Sequence, residues 1–376
     1  MKICVIRGER LCILAVMKII LDNRLAQKQL FPFTKTRHAA DIRVGILTIR
    51  EKFLFSKKYE VFGSYEDYFA ANPDTKELPV LLQANIIPDE AWIDAVPNEL
   101  KISGNGGIAI TDGPSLKILN YPWDIFKHND WALRKDFELI TKGRASQNIP
   151  ASNKTINSTE IFIEAGAKLE HCILNATDGP IYIGKNATIM EGSFLRGPVA
   201  VCEGAVVKMG TKIYGATTVG PFCTVGGEIK NSVLFGYSNK AHDGYLGDSV
   251  LGEWCNLGAG TSNSNVKNTA GEVKYWSDTG QKEINAGNKG GLLMGDYSKA
   301  AINTSFNTGT IVGVCCNVFA AGLTPKFIPD FSWGADGTTK YKLEKALIDI
   351  DSWKKLKGLT ISDREKQILT DIYKLY

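Results

Sequence analysis

The chain has 376 residues, enough for two or three domains with a sizeable buried core. Its 44 Lys and Arg nearly balance its 40 Asp and Glu, and no basic run dominates one segment, which argues against a nucleic-acid binder. No uninterrupted apolar stretch is long enough to cross a bilayer, so no membrane-spanning helix and no membrane partner are predicted.

The N-terminus, residues 1–16, is predicted to be an extension outside the fold. Its apolar run from Leu11 to Val16 is too short for a signal-peptide core, and no small-residue cleavage site follows it. The eight cysteines form no Cys-x-x-Cys pair, which favours reduced thiols and a cytoplasmic protein.

Residues 17–120 predict a compact α/β domain. Apolar runs typical of strands occupy residues 17–22, 42–49 and 78–83, and helices are predicted at 64–71 and 89–95. The next segment, 121–154, has apolar side chains at helical spacing over residues 122–142. It therefore predicts a helical connector between two domains.

Aliphatic side chains then recur at every sixth position, which is the strongest pattern in the chain. Eight consecutive positions are occupied without a gap: Ile183, Ile189, Leu195, Val201, Val207, Ile213, Val219 and Val225. The same period returns at Met294, Ala300, Phe306, Val312 and Val318. A period of six fits short strands separated by tight turns around a three-sided coil. Residues 155–328 therefore predict a left-handed parallel β-helix of hexapeptide repeats, whose stacked coils bury one apolar column.

A polar stretch, residues 261–291, interrupts this β-helix and is too long to be a corner. Such an excursion predicts a functional arm, either a lid or a substrate-binding element, and Val273, Tyr275 and Trp276 argue against a disordered insertion. Residues 329–376 predict a C-terminal helical tail. Its last helix opens with a capping box of Ser362 and Glu365 and is expected to pack against the solenoid or a neighbouring subunit.

Residues 226–265 concentrate polar side chains within the repeat region. Because imidazole titrates near neutrality, His242 is the candidate general base. Glu228, His242 and Asn256 are separated by fourteen residues each, so they are expected on one face of adjacent turns, with Glu228 supporting the imidazole. Lys212 and Lys230 are candidates to hold a phosphate group.

Residues 239–260, NKAHDGYLGDSVLGEWCNLGAG, resemble the acetyltransferase domain of the bifunctional bacterial enzymes that make UDP-N-acetylglucosamine. These enzymes join a UDP-N-acetylglucosamine diphosphorylase to a glucosamine-1-phosphate N-acetyltransferase. The resemblance implies acetyl transfer from acetyl-CoA to the amine of glucosamine-1-phosphate, with His242 as general base and Glu228 as its carboxylate. It also implies a homotrimer with sites shared between neighbouring solenoids.

The same resemblance implies binding roles. Sugar-phosphate contacts fall on Lys230, Tyr245, Asn256 and Asn265, and a CoA channel on Ala259, Ala320 and Ala321. Two departures concern phosphate recognition: Lys212 replaces an arginine of the family, and Val266 replaces a tyrosine. Lysine offers a point charge where arginine offers a bidentate fork, so the phosphate contacts are expected to differ.

Residues 30–53, LFPFTKTRHAADIRVGILTIREKF, resemble sugar-phosphate nucleotidyltransferases, and come closer still to a compact variant found beside such β-helices in bacteria of the Bacteroidetes kind. His38 and Phe53 replace a proline and a tryptophan of that variant. The resemblance implies an α/β nucleotidyltransferase-like domain that uses UTP, with Mg²⁺ as cofactor if the domain is active.

The usual glycine-rich phosphate loop is absent from this domain, since DNRLAQKQ follows the first predicted strand without a glycine. Ala39 also replaces the usual lysine. The candidate phosphate ligands are Arg24, Arg37 and Arg43, and the candidate Mg²⁺ ligands are Asp22 and Asp41. The alternative is that the domain is an inactive remnant.

Other functions compete with acetyl transfer to glucosamine-1-phosphate. A γ-type carbonic anhydrase shares the solenoid but needs three zinc-binding histidines, and the repeat region contains only His171 and His242. Acyl transfer to another amino sugar, sugar-1-phosphate nucleotidyl transfer and a non-catalytic trimeric assembly module remain open. The retained His242 and Glu228 argue against the last of these.

Overall fold

The computed structural model describes residues 16–75, 78–99 and 116–375. The predicted N-terminal extension therefore lies, apart from Val16, outside the described residues. Within the described ranges, no helix is both long and apolar enough to cross a membrane. The described cysteines are buried and not paired in disulfides.

The N-terminal domain is built on a parallel sheet in which β1 (Met17–Asp22) lies between β2 (Tyr59–Phe62) and β3 (Val80–Gln83). A short antiparallel pair, β4 (Ile86–Ile87) and β5 (Lys117–Ile118), extends it. The helices are α1 (Ala26–Gln29), α2 (Ile49–Phe55), α3 (Tyr65–Ala71) and α4 (Glu90–Glu99). The predicted helix at 64–71 is present, with Ser64 as its N-cap.

The apolar run 42–49 is not a strand, contrary to the sequence-based prediction. It forms a loop after a 3₁₀ turn (Ala39–Asp41), and α2 begins at its end behind the Thr48–Glu51 capping box. Gly45 adopts a positive φ of 82° in this loop, and a Cβ there would lie 2.8 Å from the Ala132 carbonyl carbon. The run is apolar because it is buried in a turn against the next helix, and its hydrophobicity alone did not distinguish this from a strand.

That next helix is α5 (Asp124–Thr141), which covers most of the predicted connector. It packs on the solenoid: the Asn129 amide donates to the Ala216 carbonyl oxygen at 2.6 Å. About two turns further along the same side of the helix, Asp136 forms a buried ion pair with Lys52 of α2 and accepts the Ile46 backbone N–H at 2.8 Å. The connector is therefore a packed layer between the two domains.

The solenoid occupies residues 154–328 and has three faces of parallel strands, all within the described residues. Face 1 consists of β7 (Ile161–Ile163), β10 (Ile181–Ile183), β13 (Val199–Val201), β16 (Thr217–Val219), β19 (Val233–Leu234), β22 (Val250–Leu251), β27 (Leu292–Met294), β30 (Thr310–Val312) and β32 (Phe327–Ile328). Face 2 consists of β8 (Lys168–Leu169), β11 (Thr188–Ile189), β14 (Val206–Val207), β17 (Thr224–Val225), β20 (Asn239–Lys240), β23 (Asn256–Leu257), β28 (Lys299–Ala300) and β31 (Asn317–Val318). Face 3 consists of β6 (Lys154–Ile156), β9 (Ile173–Asn175), β12 (Phe194–Arg196), β15 (Lys212–Tyr214), β18 (Glu228–Lys230) and β21 (Tyr245–Gly247), and the pair β24 (Ser262–Asn263) and β29 (Ser305–Phe306) follows it.

Every position of the six-residue period points into this solenoid. The eight aliphatic side chains from Ile183 to Val225 are at most 2% exposed, and those at the later positions are at most 5% exposed. They form a single apolar column inside the coils. The predicted fold class, an α/β domain followed by a parallel β-helix and a helical tail, is confirmed.

The N-terminal domain packs on the outside of face 1. Outward side chains of that face, Val233, Val250, Leu293 and Ile311, are fully buried in one cluster with the core of the N-terminal domain. The two domains therefore share a hydrophobic core rather than being joined by a flexible linker. Burial of this kind makes an interface permanent.

The arm at 261–291 completes this shared core and is not a lid over the polar segment 226–265. Its hairpin, β25 (Lys274–Ser277) and β26 (Lys282–Asn285), places Tyr275 fully buried against Trp123, with ring centroids 5.1 Å apart. The Thr279 hydroxyl at its tip donates to the Lys28 carbonyl oxygen at 2.7 Å. The apolar side chains of this hairpin dock the N-terminal domain, so the prediction of a lid is wrong for it, while substrate binding by the arm stays a prediction.

The C-terminal tail forms α6 (Leu343–Lys355) and α7 (Asp363–Lys374), and both pack on the edge between faces 1 and 2. The corners of that edge place bulky residues in left-handed backbone conformations, a rare state outside glycine. Tyr237 and Trp254 stack there with centroids 4.4 Å apart, and Tyr297 donates to Glu365 of α7 at 2.7 Å. Of the two predicted packing partners for the tail, the solenoid of the same chain is the one observed.

Candidate functional site

His242 lies at the edge where face 2 turns into face 3. Successive corners of this edge stack: the Gly260 N–H donates to the Asp243 carbonyl oxygen at 3.1 Å, and the Asn303 N–H to the Ala259 carbonyl oxygen at 2.7 Å. The edge is opposite face 1 in the three-sided section, so the described part of the N-terminal domain, which packs on face 1, does not cover it. The His242 side chain is exposed. No side chain of the described residues hydrogen-bonds to its imidazole.

Face 3 begins directly beside this corner with three predicted site residues in register. Lys212, Glu228 and Tyr245 are the Cα partners of successive strands. The Glu228 backbone N–H donates to the Gly244 carbonyl oxygen at 3.2 Å, which ties this ladder to the His242 corner. A cation, a carboxylate and a phenol thus form one row beside the imidazole.

The Glu228 carboxylate is held by Tyr214, a residue that no sequence pattern singled out. The Tyr214 hydroxyl donates to Glu228 Oε1 at 2.6 Å, and this bond raises the pKa of Tyr214 to about 12. The Lys230 ammonium lies 5.6 Å from the centroid of the same ring. Tyr214 therefore orders both the predicted carboxylate and a predicted phosphate contact.

Tyr245 and Asn265 also contact each other. The Asn265 amide donates to the Tyr245 hydroxyl at 3.1 Å and to Asp248 Oδ2 at 2.6 Å, and Asp248 in turn accepts from Asn231 at 2.6 Å. Burial raises the pKa of Tyr245 to about 12, so its hydroxyl stays protonated at neutral pH. Asp248 and Asn231 extend the polar row but carry no distinguishing sequence pattern.

Asn256 does not lie on the face that carries Glu228, and its expected placement is wrong. It belongs to face 2, where it pairs with Asn239 below and Lys299 above. Residues aligned on one face are sixteen or seventeen apart here, as for Lys212, Glu228 and Tyr245. A step of fourteen therefore does not return to the same face of this solenoid.

The three predicted CoA-channel residues follow the His242 edge. Ala259 lies in the corner directly above His242. Ala320 and Ala321 are exposed in the corner after β31, which stacks on the corner after β28 through the Ala300 and Val318 pair. The three alanines therefore lie along one edge on one side of His242, and the exposed Ile302 and Phe319 lie in corners of the same edge.

In the N-terminal domain, Asp22 and Arg24 pair at the carboxyl end of β1, where ligands of parallel sheets usually bind. Arg24 Nη2 lies 2.8 Å from Asp22 Oδ2, and the bond lowers the pKa of Asp22. Asp41 pairs with Arg50 at 2.6 Å. Among the described residues no cluster of three or more His, Cys, Asp or Glu side chains suits a metal ion.

Arg37 and Arg43, two of the predicted phosphate ligands, pair with protein groups. Arg37 pairs with Asp296 and Glu253 of the solenoid across the domain interface, and these carboxylates raise the pKa of its guanidinium despite its burial. Arg43 donates to the Ile46 carbonyl oxygen and pairs with Glu51 at 3.4 Å. Both guanidiniums already pair with protein carboxylates, although the buried Arg37 Nε has no hydrogen-bond partner among the described residues. This pairing is at odds with their predicted phosphate roles.

A cavity of about 900 Å³ opens at the carboxyl end of β2. Three parts of the chain line it: the segment around His38 and Arg50, the solenoid corners at Glu253 and Asp296, and α7 at Arg364. Arg50 and Arg364 were not among the predicted residues. Only the fold brings them together, since more than 300 residues separate them in the sequence.

The N-terminal residues match the family described as "Sugar nucleotidyl transferase", over residues 18–105 and 99–145. The chain is also similar to curated relatives. It is 27% identical to the bifunctional protein GlmU of Methanocaldococcus jannaschii, over 66% of this chain and 58% of that protein. It is 27% identical to a bifunctional sugar-1-phosphate nucleotidylyltransferase/acetyltransferase of Sulfurisphaera tokodaii, over 64% of this chain and 57% of that protein.

A shorter match of higher identity links the chain to the GlmU of Rippkaea orientalis, at 40% identity over 86 residues, 22% of this chain and 18% of that protein. The chain is thus a relative of the bifunctional nucleotidylyltransferase/acetyltransferases, and the predicted resemblance is confirmed. It spans less than two thirds of the length of the first two relatives.

Proposed function

We propose that the edge carrying His242 transfers an acetyl group from acetyl-CoA to the amine of an amino-sugar phosphate, glucosamine-1-phosphate. The observation that carries this proposal is the row of Lys212, Glu228 and Tyr245 beside the exposed imidazole. A neutral imidazole reachable from solvent can accept a proton from an attacking amine, and the polar row offers groups for a sugar and its phosphate. The names of the relatives support the same reaction.

The chemistry needs one base and one departing thiolate. The amine nitrogen attacks the thioester carbonyl carbon, a carbon–nitrogen bond forms, and the carbon–sulfur bond breaks. The proton lost by nitrogen passes through His242 to the CoA thiolate. Glu228, ordered by Tyr214, would stabilise the imidazolium formed in between.

Substrate contacts follow from the charges and shapes along the edge. Lys212 and Lys230 would hold the phosphate as separate point charges, and Tyr245 with Asn265 would bind sugar hydroxyls. The small side chains of Ala259, Ala320 and Ala321 would leave room for the pantetheine arm of CoA. Asn256, on face 2, would reach a substrate only from a neighbouring solenoid, since its own face turns away from Glu228.

This last point favours a homotrimer with shared sites. Three exposed apolar side chains also lie on the first coils of face 3: Ile156, Ile173 and Phe194, at 52%, 38% and 48% exposure. Exposed apolar patches of this kind commonly mark protein contacts. Light scattering of the purified protein should give three times the chain mass, and a monomer at micromolar concentration would remove this part of the proposal.

The decisive experiment for acetyl transfer is release of free CoA from acetyl-CoA and glucosamine-1-phosphate. We expect His242→Ala to lower kcat by a factor of about 10²–10⁴, the usual contribution of a general base. His171→Ala is the matched control, because His171 is an exposed histidine in a first-coil corner of the same edge. If the wild type releases no CoA, the proposal of acetyl transfer is wrong, whatever the variants do.

A second activity, nucleotidyl transfer to the sugar phosphate, is favoured by the family match over residues 18–145 and by the cavity at the end of β2. Arg50 and Arg364 are the guanidiniums that would reach a nucleotide phosphate there. Mg²⁺ usually binds one or two carboxylates together with substrate phosphates, so Asp22 and Asp41 are the candidates to hold it. Pyrophosphate release from UTP, N-acetylglucosamine-1-phosphate and Mg²⁺ tests this activity. Its absence would favour an inactive remnant.

A further inference from the structure

One charged side chain points into the apolar column of the solenoid, at the coil that carries His242. On face 2 the inward positions of successive coils are Val207, Val225, Lys240 and Leu257. Lys240 is 1% exposed, as buried as its aliphatic neighbours. A buried ammonium needs several hydrogen-bond acceptors, so its presence calls for a physical reason.

The corners between faces 2 and 3 show what Lys240 replaces. Elsewhere along this edge, the last residue of the corner is small, buried and bonded to a corner carbonyl. These residues are Cys172, Ser193, Thr211, Thr261 and Thr304. For example, the Thr304 hydroxyl donates to the Ala301 carbonyl oxygen at 2.8 Å, and Ser193 to that of Lys208 at 3.0 Å. Each side chain fills the corner from inside and fixes its backbone.

Two consecutive corners lack such a side chain. The first, Gly226–Gly227, has only two residues between β17 and β18, where the other corners of this edge have three or four. The second is the His242 corner itself, which ends at Gly244 with a φ of 121°. A Cβ on Gly244 would collide with the Thr261 carbonyl oxygen of the next coil. No side chain can therefore fill these corners from the usual position.

The Lys240 ammonium fills the gap from the neighbouring strand. It donates to the Gly226 carbonyl oxygen at 3.3 Å and to the His242 carbonyl oxygen. The Lys240 ammonium thus bonds to a backbone carbonyl in each of the two corners that lack such a side chain. One of these carbonyls belongs to His242. Burial lowers the pKa of Lys240 to about 8, with Asp243 opposing the shift, so the group remains mostly charged at neutral pH.

We propose that Lys240 is a positioning residue for His242, fixing the backbone of that corner from inside the solenoid so that the imidazole projects over the row of Glu228 and Tyr245. The His242 side chain has no anchoring hydrogen bond of its own within the described residues, so its direction depends on its backbone. The inference rests on the proposed role of His242 as the base.

The test compares Lys240→Met with Leu257→Met. Both place methionine in the same inward column one coil apart, but only the first removes bonds to the His242 carbonyl. Hydrogen–deuterium exchange of the amides 241–244 and the kinetics of CoA release are measured on the full chain. We expect Lys240→Met to speed exchange there by at least about tenfold and to lower kcat by about 10–100-fold, with little change in KM for acetyl-CoA.

The conservative variant Lys240→Gln keeps two N–H donors without the charge and should recover part of the loss in kcat. Unchanged exchange and kcat in Lys240→Met, or equal effects in Leu257→Met, would overturn the proposal. If the wild type releases no CoA, the proposed function fails, while the exchange rates still decide the role of Lys240. Failure of both Lys240 variants to fold, with Leu257→Met folded, would show a role in folding and also overturn local positioning.

Discussion

Removal of the Arg37 guanidinium is the sharpest test of how the two domains are joined. The side chain of Arg37 is 11% exposed, and its main partner Asp296 is 3% exposed. In Arg37→Met the Asp296 carboxylate keeps the hydrogen bonds from the Thr36 hydroxyl at 2.6 Å and the Glu253 N–H at 2.8 Å, but loses the cation that pairs with it among the described residues. Removing one partner of a buried ion pair lowers the free energy of unfolding by about 3–5 kcal/mol.

The other contacts of Arg37 add little to this figure. Glu253 is 37% exposed, so its pairing with Arg37 is largely screened by water. The matched control is Arg24→Met. Arg24 was predicted as a phosphate ligand on the same grounds, but its side chain is 78% exposed, so the loss should stay below about 1 kcal/mol.

The assay is urea unfolding of each variant, followed by fluorescence and far-ultraviolet circular dichroism. We expect the Arg37→Met loss to be greatest near pH 7 and to shrink toward pH 4. Burial raises the pKa of Asp296 in the folded protein, and removal of Arg37 raises it further. A carboxyl group whose pKa is higher in the folded than in the unfolded protein stabilises the folded state only at low pH. This stabilisation is lost as pH rises through the folded pKa. A loss below 1 kcal/mol at pH 7, equal to that of Arg24→Met, would refute the reasoning from burial.

Three further predictions concern other parts of the fold. Tyr275→Ala should destabilise the protein by about 3–5 kcal/mol in urea unfolding, because the ring is fully buried between the domains; a loss under 1 kcal/mol would contradict a docking role for the arm. Gly45→Ala should lower Tm markedly, since its φ is positive and its Cβ would meet the backbone of α5, whereas Gly143→Ala, also at positive φ, has nothing within 4 Å of its Cβ and should lower it less. For Lys240, whose folded pKa of about 8 lies below that of the unfolded chain, the unfolded state binds more protons between pH 8 and 10.5. The stability of the wild type relative to Lys240→Met should therefore rise by roughly 3 kcal/mol across that range, and a flat difference would contradict burial of the charge.

The solenoid was predictable because its stabilising pattern is local. Each inward side chain is six residues from the next, so the periodicity alone located the column from Ile183 to Val225. The period failed after Val225 for two physical reasons. The corner Gly226–Gly227 is two residues short, and an inward position holds Lys240 in place of an aliphatic residue.

The contacts between domains were not predictable, because their partners are far apart in the chain. Asp296 is 259 residues from Arg37, so nothing near the arginine indicated an ion pair instead of a phosphate ligand. The arm was misjudged for the same reason. Its length and polarity suggested a lid, whereas Tyr275 packs in the interface with the N-terminal domain, against Trp123.

At the candidate site, the sequence indicated the right corner but not what supports it. Lys212, Glu228 and Tyr245 lie in register next to the corner that carries His242, while the hydrogen bond from Tyr214 depends on a strand alignment that spacing alone did not predict. From Lys212 to Tyr245, aligned residues on this face are sixteen or seventeen apart, whereas Phe194 and Lys212 are eighteen apart, so no uniform coil length predicts the alignment.

The placement of the two candidate sites constrains how they can work together. The N-terminal domain covers face 1, and the His242 corner lies at the opposite edge of the three-sided coil. A sugar phosphate acetylated at one site must therefore leave it and diffuse around the solenoid before reaching the cavity at the end of β2. The two activities should then be separable: His242→Ala should abolish CoA release while leaving pyrophosphate release from N-acetylglucosamine-1-phosphate within about twofold of wild type. A parallel loss of both activities in a folded His242→Ala protein would mean that the sites communicate through the solenoid core, for which the described contacts of His242 provide no route.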